Sequence, residues 1–195
     1  MKVAIISDIH ENVLNLTLFL KEIENHDIKK IIFLGDFINN GIAKMLAACE
    51  VPVYAIWGNN DGDRVAITKT SFTKGSNLEV GFDTFDMIEI ENRKIFITHY
   101  PMLARPMAKS GDFDAVFYGH DHIYNIDQIN DCLIVDPGEI SAHKTNVATF
   151  AIYDSETNKA EIIKIKGTIS VQAKDEKTFK EKSWIEFSES KTHKY

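Results

Sequence analysis

The sequence predicts an α/β fold built as one domain. Three observations predict it. Short β-branched apolar runs alternate with segments of helical periodicity from Lys2 to Asn59. Further apolar runs crowd the second half, some joined by tight turns. A chain of 195 residues, 44% hydrophobic and 26% charged, has the size and balance of a soluble protein with a well-developed core.

The elements follow in order. KVAIIS, from Lys2 to Ser7, reads as a buried strand. From Asn12 to Glu24, the apolar residues Leu16, Phe19, Leu20 and Ile23 recur at helical spacing. KKIIFLGD is a second buried strand that stops at Gly35. Ile42 to Cys49 reads as a helix, and Pro52 closes that connection. VPVYAIWGN is a third strand. This β-α-β-α-β order predicts parallel strands with helical crossovers.

Beyond Asp63 the character changes. Asp63 to Gly81 is polar and reads as a loop with a short helix. FDMIEIENRKIFITHY predicts two strands around a turn at Glu91-Asn92-Arg93. Met102 to Gly111 and Glu139 to Asn146 read as loops that shape a pocket. DAVFYGHDH and CLIVDPG are buried strands. VATFAIYD and AEIIKIKG pair across a Ser-Glu-Thr-Asn turn. No repeat or linker appears, so residues 1–170 form one domain. Residues 171–195 form a densely charged tail that is either docked or partly disordered.

Composition bounds the function. The net charge of −7 argues against stable binding of nucleic acid through a broad basic surface. It leaves room for a phosphate-bearing substrate, because a metal can supply local positive charge. Cys49 and Cys132 form no C-x-x-C and read as small buried hydrophobes in a reducing compartment. The N-terminal apolar run is too short for a signal-peptide core, and no segment approaches the roughly 20 apolar residues of a membrane span. The expected location is the cytoplasm.

The chemistry lies where the strands stop. Apolar runs end in Asp8-Ile9-His10, Gly35-Asp36, Gly58-Asn59, Thr98-His99 and Gly119-His120-Asp121-His122. Each cluster alone is an ordinary turn or cap signal. Parallel strands, however, put their C-terminal ends along one edge, where ligands bind in open α/β folds. That edge would gather Asp8, His10, Asp36, Asn59, His99, His120 and His122. Packed together without a partner, such groups would be costly. A metal centre satisfies them, and their number suggests two ions, with Asp36 as the bridging carboxylate. In an extended D-x-H, alternate residues point the same way, so Asp8 and His10 would grip one ion. The same geometry would align His120 with His122. The glycines before Asp36, Asn59 and His120 would let the backbone turn sharply.

D-x-H, G-D, G-N-x-D, a His before Pro, and G-H-x-H, in that order over residues 8 to 122, resemble the signature of the calcineurin-like metallophosphoesterases. The short length is most similar to small phosphodiesterases of the YfcE type. The resemblance implies a four-layer α/β/β/α sandwich of two mixed sheets and two divalent metals. One metal would take Asp8, His10, Asp36 and His122; the other would take Asp36, Asn59, His99 and His120. By analogy, a homodimer is a candidate state.

Three positions depart from the family pattern. Thr98 replaces the usual Gly before His99. Asn60 stands where many members keep a His that acts on the leaving group, while Asp61 remains as a structural acceptor or catalytic partner. DPGEISAHK, from Asp136 to Lys144, resembles an Asn-Pro-Gly-Ser segment but carries Glu139, His143 and Lys144. His143 and Lys144, with Asn60, are the candidate substrate contacts. Glu139 reads either as a further contact or as part of a surface loop.

The expected reaction is hydrolysis of a small phosphate ester by in-line attack of a metal-bridging hydroxide. Imidazole and carboxylate donors suit Mn, Fe, Zn or Ni, with Mn the first choice from the family. Asn60 cannot protonate a leaving group near neutral pH, so a phosphodiesterase is favoured. The alternatives are a phosphomonoesterase with the same centre and a catalytically weak scaffold, as in a retromer subunit of this fold.

Overall fold

The computed structural model describes residues 1–170. The charged tail, 171–195, lies outside the described residues. The first sheet holds β1 (Lys2–Ile6), β2 (Lys30–Phe33), β3 (Val53–Ala55), β4 (Leu78–Val80), β10 (Thr149–Asp154) and β11 (Lys159–Lys164). Its order is β11-β10-β1-β2-β3-β4, with β1 to β4 parallel and β10 and β11 antiparallel. The second sheet holds β5 (Phe85–Ile90), β6 (Arg93–Thr98), β7 (Ala115–Phe117), β8 (Asn125–Ile129) and β9 (Cys132–Asp136). Its order is β5-β6-β7-β9-β8, parallel at β6, β7 and β9 and antiparallel at both edges.

Strand alternation produces the layers. Val3, Ile5, Ile32, Leu34 and Ile56 of the first sheet meet Ile95, Ile97, Phe117 and Val135 of the second. The other face of the first sheet, Ala4, Ile6, Ile31, Phe33 and Val53, packs on Leu16, Phe19, Ile42, Leu46 and Ile67. Those come from α1 (Val13–Ile23), α2 (Asn40–Ala47) and α3 (Arg64–Ser71). On the far side, Phe96, Val116 and Ile134 pack on Ala104 and Ala108 of α4 (Pro101–Ser110). The result is the four-layer α/β/β/α sandwich of two mixed sheets.

Local chemistry sets the helix ends. Asn12 caps α1 by accepting from the Asn15 N–H at 3.0 Å. Pro101 opens α4, and Gly111 closes it at a φ of 81°. The strands and helices from Lys2 to Ala55 follow the sequence reading to within a few residues.

The second half departs from the sequence reading in four places. Residues 102–110 are helical rather than a loop. Pro106 lies inside α4 and removes one intrahelical donor, but burial of Ala104 and Ala108 holds the helix. β4 replaces part of the 63–81 loop; it buries Leu78 and exists through its pairing with β3. β8, a polar edge strand, pairs with β9 and has no apolar run to announce it. The hairpin turn is Glu91-Asn92, with Glu91 at a φ of 54° and Arg93 already in β6. Cys132 is buried and Cys49 half-buried, and neither forms a disulfide. Among the described residues, no helix is long and apolar enough to cross a membrane.

Ile32 lies fully buried between the two sheets. Ile32→Ala is expected to destabilise the fold by about 2–5 kcal/mol, read from the midpoint of urea unfolding.

Candidate metal centre

The strand ends of both sheets meet at one edge. Asp8 follows β1, Asp36 follows β2 and Asn59 follows β3. His99 follows β6, while His120 and His122 follow β7. The backbone there is not extended. Asp8, His10, Asp36, His120 and His122 have φ values of 54°, 44°, 67°, 74° and 65°. The left-handed region is unfavourable for such residues and persists only where the surroundings enforce it. The expected extended D-x-H and H-x-H geometry is therefore replaced by left-handed turns.

Those turns split the two histidines of G-H-x-H between two clusters. His122 Nε2 lies 3.3 Å from Asp8 Oδ1, and His10 Nε2 lies 3.4 Å from the same oxygen. His10 Nε2 also lies 3.2 Å from Asp36 Oδ2. In the second cluster Asn59 Oδ1 sits 2.8 Å from both His99 Nε2 and His120 Nδ1. His99 Nε2 is 3.8 Å from Asp36 Oδ1, so the Asp36 carboxylate lies between the clusters.

The glycines act in two ways. Gly35 has a φ of 100° and uses its conformational freedom. Gly58 and Gly119 do not have positive φ values; they allow close approach instead. A Cβ on Gly58 would meet Asp36 Oδ1 at 2.1 Å, and one on Gly119 would meet Ser7 Oγ at 2.0 Å. Thr98 does not displace His99, which is fully buried and donates its backbone N–H to Thr84 O at 2.8 Å.

The donor atoms fit a cation. His99 Nδ1 faces the Leu34 carbonyl at 2.8 Å and donates there, which turns Nε2 toward the Asn59 oxygen. His122 repeats the logic, because its Nδ1 donates to Glu139 Oε2 at 2.7 Å and its Nε2 faces a carboxylate. Asp8 Oδ1 and His10 Nε2 are buried without an aligned hydrogen bond. A metal ion held by these oxygen and imidazole donors would satisfy them. Asp8, His10 and His122, and separately Asp8, Asp36 and His99, each bring three such atoms within 4.8 Å of one another.

Charge in the site follows from burial and pairing. Burial by itself would lower the His10 pKa, but Asp36 and Asp8 outweigh it and push it up to about 9. Burial would raise Asp36, yet contacts from His10 and Asn60 hold it well below the usual carboxylate range.

The supporting residues have distinct places. Asn60 donates from its backbone N–H to Asp36 Oδ1 at 2.9 Å and from its side chain to Asp36 Oδ2 at 2.8 Å. Each oxygen keeps a second lone-pair direction for the site. Asp61 is buried and accepts backbone N–H groups from Asp36, Gly58 and Ile38 at 3.1, 2.7 and 3.0 Å. It thereby ties the β2 and β3 ends together. The His143 ring lies 5.3 Å from the His10 ring, and Lys144 is exposed on the same loop. Glu139 is fully buried, which corrects its reading as a surface-loop residue. The sequence offered no apolar run or periodicity to announce that burial; the acid follows the Pro-Gly turn directly.

Comparison with known proteins gives the family. Residues 1–158 match the calcineurin-like phosphoesterase superfamily domain. The chain belongs to that superfamily. It is 32% identical over 158 residues to phosphodiesterase MJ0936 of Methanocaldococcus jannaschii, covering 80% of this chain and 94% of that protein. A solved archaeal phosphodiesterase superposes with a TM-score of 0.74 at 28% identity, over 84% of this chain and 99% of its own. The Escherichia coli phosphoesterase YfcE shares the fold with a TM-score of 0.62 at 20% identity, over 85% of this chain and 100% of its own.

Asp61→Ala would strand three backbone donors at the strand-end edge. It is expected to cost about 2–4 kcal/mol, measured by urea unfolding in a chelator. Asp61→Asn, whose oxygen can still accept at one side, is expected to cost less than the alanine.

Proposed function

We propose that the chain is a metal-dependent phosphodiesterase of small phosphate esters, working with two divalent ions. One observation carries this reading: nitrogen and oxygen atoms from strand ends of both sheets converge on one edge, with Asn59 Oδ1 at 2.8 Å from both His99 Nε2 and His120 Nδ1 and the Asp36 carboxylate between the clusters. Asp8, His10, Asp36 and His122 would hold one ion, and Asp36, Asn59, His99 and His120 the other. Mn is the first candidate, with Fe, Zn and Ni also suited to these donors. Such ions would acidify a water and neutralise charge growing on the phosphoryl oxygens. The identity to an archaeal phosphodiesterase supports the diester preference.

The chain's own residues do the rest. Asp36 spans both subsites, and Asn60 fixes its orientation through two hydrogen bonds. Asp61 holds the backbone beneath them. His143 and Lys144 line the rim and would contact the substrate's phosphate. An amide at position 60 supplies no proton to a leaving group, which favours esters with acidic leaving alcohols. Two cysteines without a disulfide suit a reducing compartment such as the cytoplasm.

The test compares an aryl phosphodiester with the matching monoester, using chelator-stripped chain reloaded with Mn. The diester is expected to turn over faster, and faster monoester turnover would reverse the preference. Asp36→Asn and His120→Ala are each expected to lower the diester rate by about 100-fold or more, equivalent to several kcal/mol of lost charge stabilisation. Full activity in both variants would sink the two-metal reading.

A further inference from the structure

Glu139 has a setting that none of these roles uses. It follows β9 directly and has no exposed surface. Its Oε2 accepts from His122 Nδ1 at 2.7 Å, Ser141 Oγ at 2.5 Å and the His143 N–H at 2.8 Å. Its Oε1 accepts from the Lys144 and Thr145 N–H groups at 2.9 and 2.7 Å and from Thr145 Oγ1 at 2.8 Å. Both oxygens therefore face donors, and the backbone amides among them can only donate. A carboxylate satisfies both sides. An amide would turn its NH₂ group against one set of donors.

We propose that Glu139 is a positioning residue for the subsite formed by Asp8, His10 and His122. The proposal rests on the two-metal reading above. By accepting the Nδ1–H of His122, the carboxylate fixes the tautomer and directs the Nε2 lone pair at Asp8 Oδ1, 3.3 Å away. Partners of this kind orient ligand imidazoles and raise their basicity. With its remaining lone pairs Glu139 folds residues 143–145 around itself, which brings the His143 ring to 5.3 Å from that of His10. One side chain thus sets both a ligand and the rim above it. The other subsite is independent of Glu139, because His99 is oriented by a backbone carbonyl, Leu34 O. Loss of Glu139 should weaken one ion and spare the other.

The experiment measures uptake of Zn and of Mn by the full chain, with elemental analysis for stoichiometry and chelator competition for affinity. The wild-type chain is expected to hold two ions. Glu139→Gln is expected to weaken one of them about 10–100-fold and leave the other unchanged. Thr145→Val removes one hydrogen bond to Oε1 but keeps the imidazole contact, and is expected to hold both ions as the wild type does. If Glu139→Gln proves unfolded by circular dichroism, Glu139→Asp takes its place; its carboxylate is withdrawn by about 1.5 Å and the same selective weakening is expected. Two ions held with wild-type affinity in the folded Glu139 variant would overturn the proposal. So would equal weakening of both ions in that variant and in Thr145→Val, which is the behaviour of a simple loop staple. A wild-type chain that takes up fewer than two ions overturns the two-metal reading itself, and the proposal with it.

Discussion

Crossover connections between parallel strands force consecutive strands to run the same way and stop at the same edge. Everything at the candidate centre depends on that constraint. β1, β2 and β3 deliver Asp8, Asp36 and Asn59. β6 and β7 deliver His99, His120 and His122 from the opposing sheet. The apolar layer of Ile5, Ile32, Ile97 and Phe117 locks the two sheets face to face, so both rows of strand ends stay within reach of one another. The site is a property of the seam between the sheets, and neither sheet holds it alone.

Gathering these groups is costly, and the structure spreads the cost over the neighbouring backbone. Asp8, His10, Asp36, His120 and His122 sit in left-handed conformations of order 1–3 kcal/mol above relaxed ones. Asp61 offsets part of this by accepting N–H groups from Asp36, Gly58 and Ile38. Burial, joined by the nearby Asp36 charge, lifts the Asp61 pKa above its ordinary value against the pull of those N–H donors. Glu139 does the corresponding work on the other side, where burial opposes its charge but the His122 and Ser141 bonds hold its pKa well below normal. Two buried acids beside the candidate ligands thus brace the two halves of the centre.

Much of this was legible in the chain. The alternation from Lys2 to Asn59 predicts parallel strands because one apolar period replaces another at each turn. The polar clusters after apolar runs name the side chains that meet at the candidate centre, since a strand end lets a buried segment present a polar group at an edge. What stayed hidden was short or polar. β4 and β8 exist through pairing with a neighbour, and three to five residues of that kind carry no period of their own. α4 contains Pro106, a local signal against helix that burial of two alanines overrides.

By itself, then, the sequence determined the α/β class, which polar side chains follow the strand ends and the absence of a proton-donating side chain at position 60. These follow from residue type and order, which need no third dimension. Tertiary structure decided how the donors are shared: His122 turns toward Asp8 and His120 toward Asn59, though only Asp121 separates them in the chain. It also decided that Glu139 is buried and ionised rather than exposed. Both outcomes arise because backbone handedness and the packing of two sheets fix where a side chain points, and neither is encoded in local spacing.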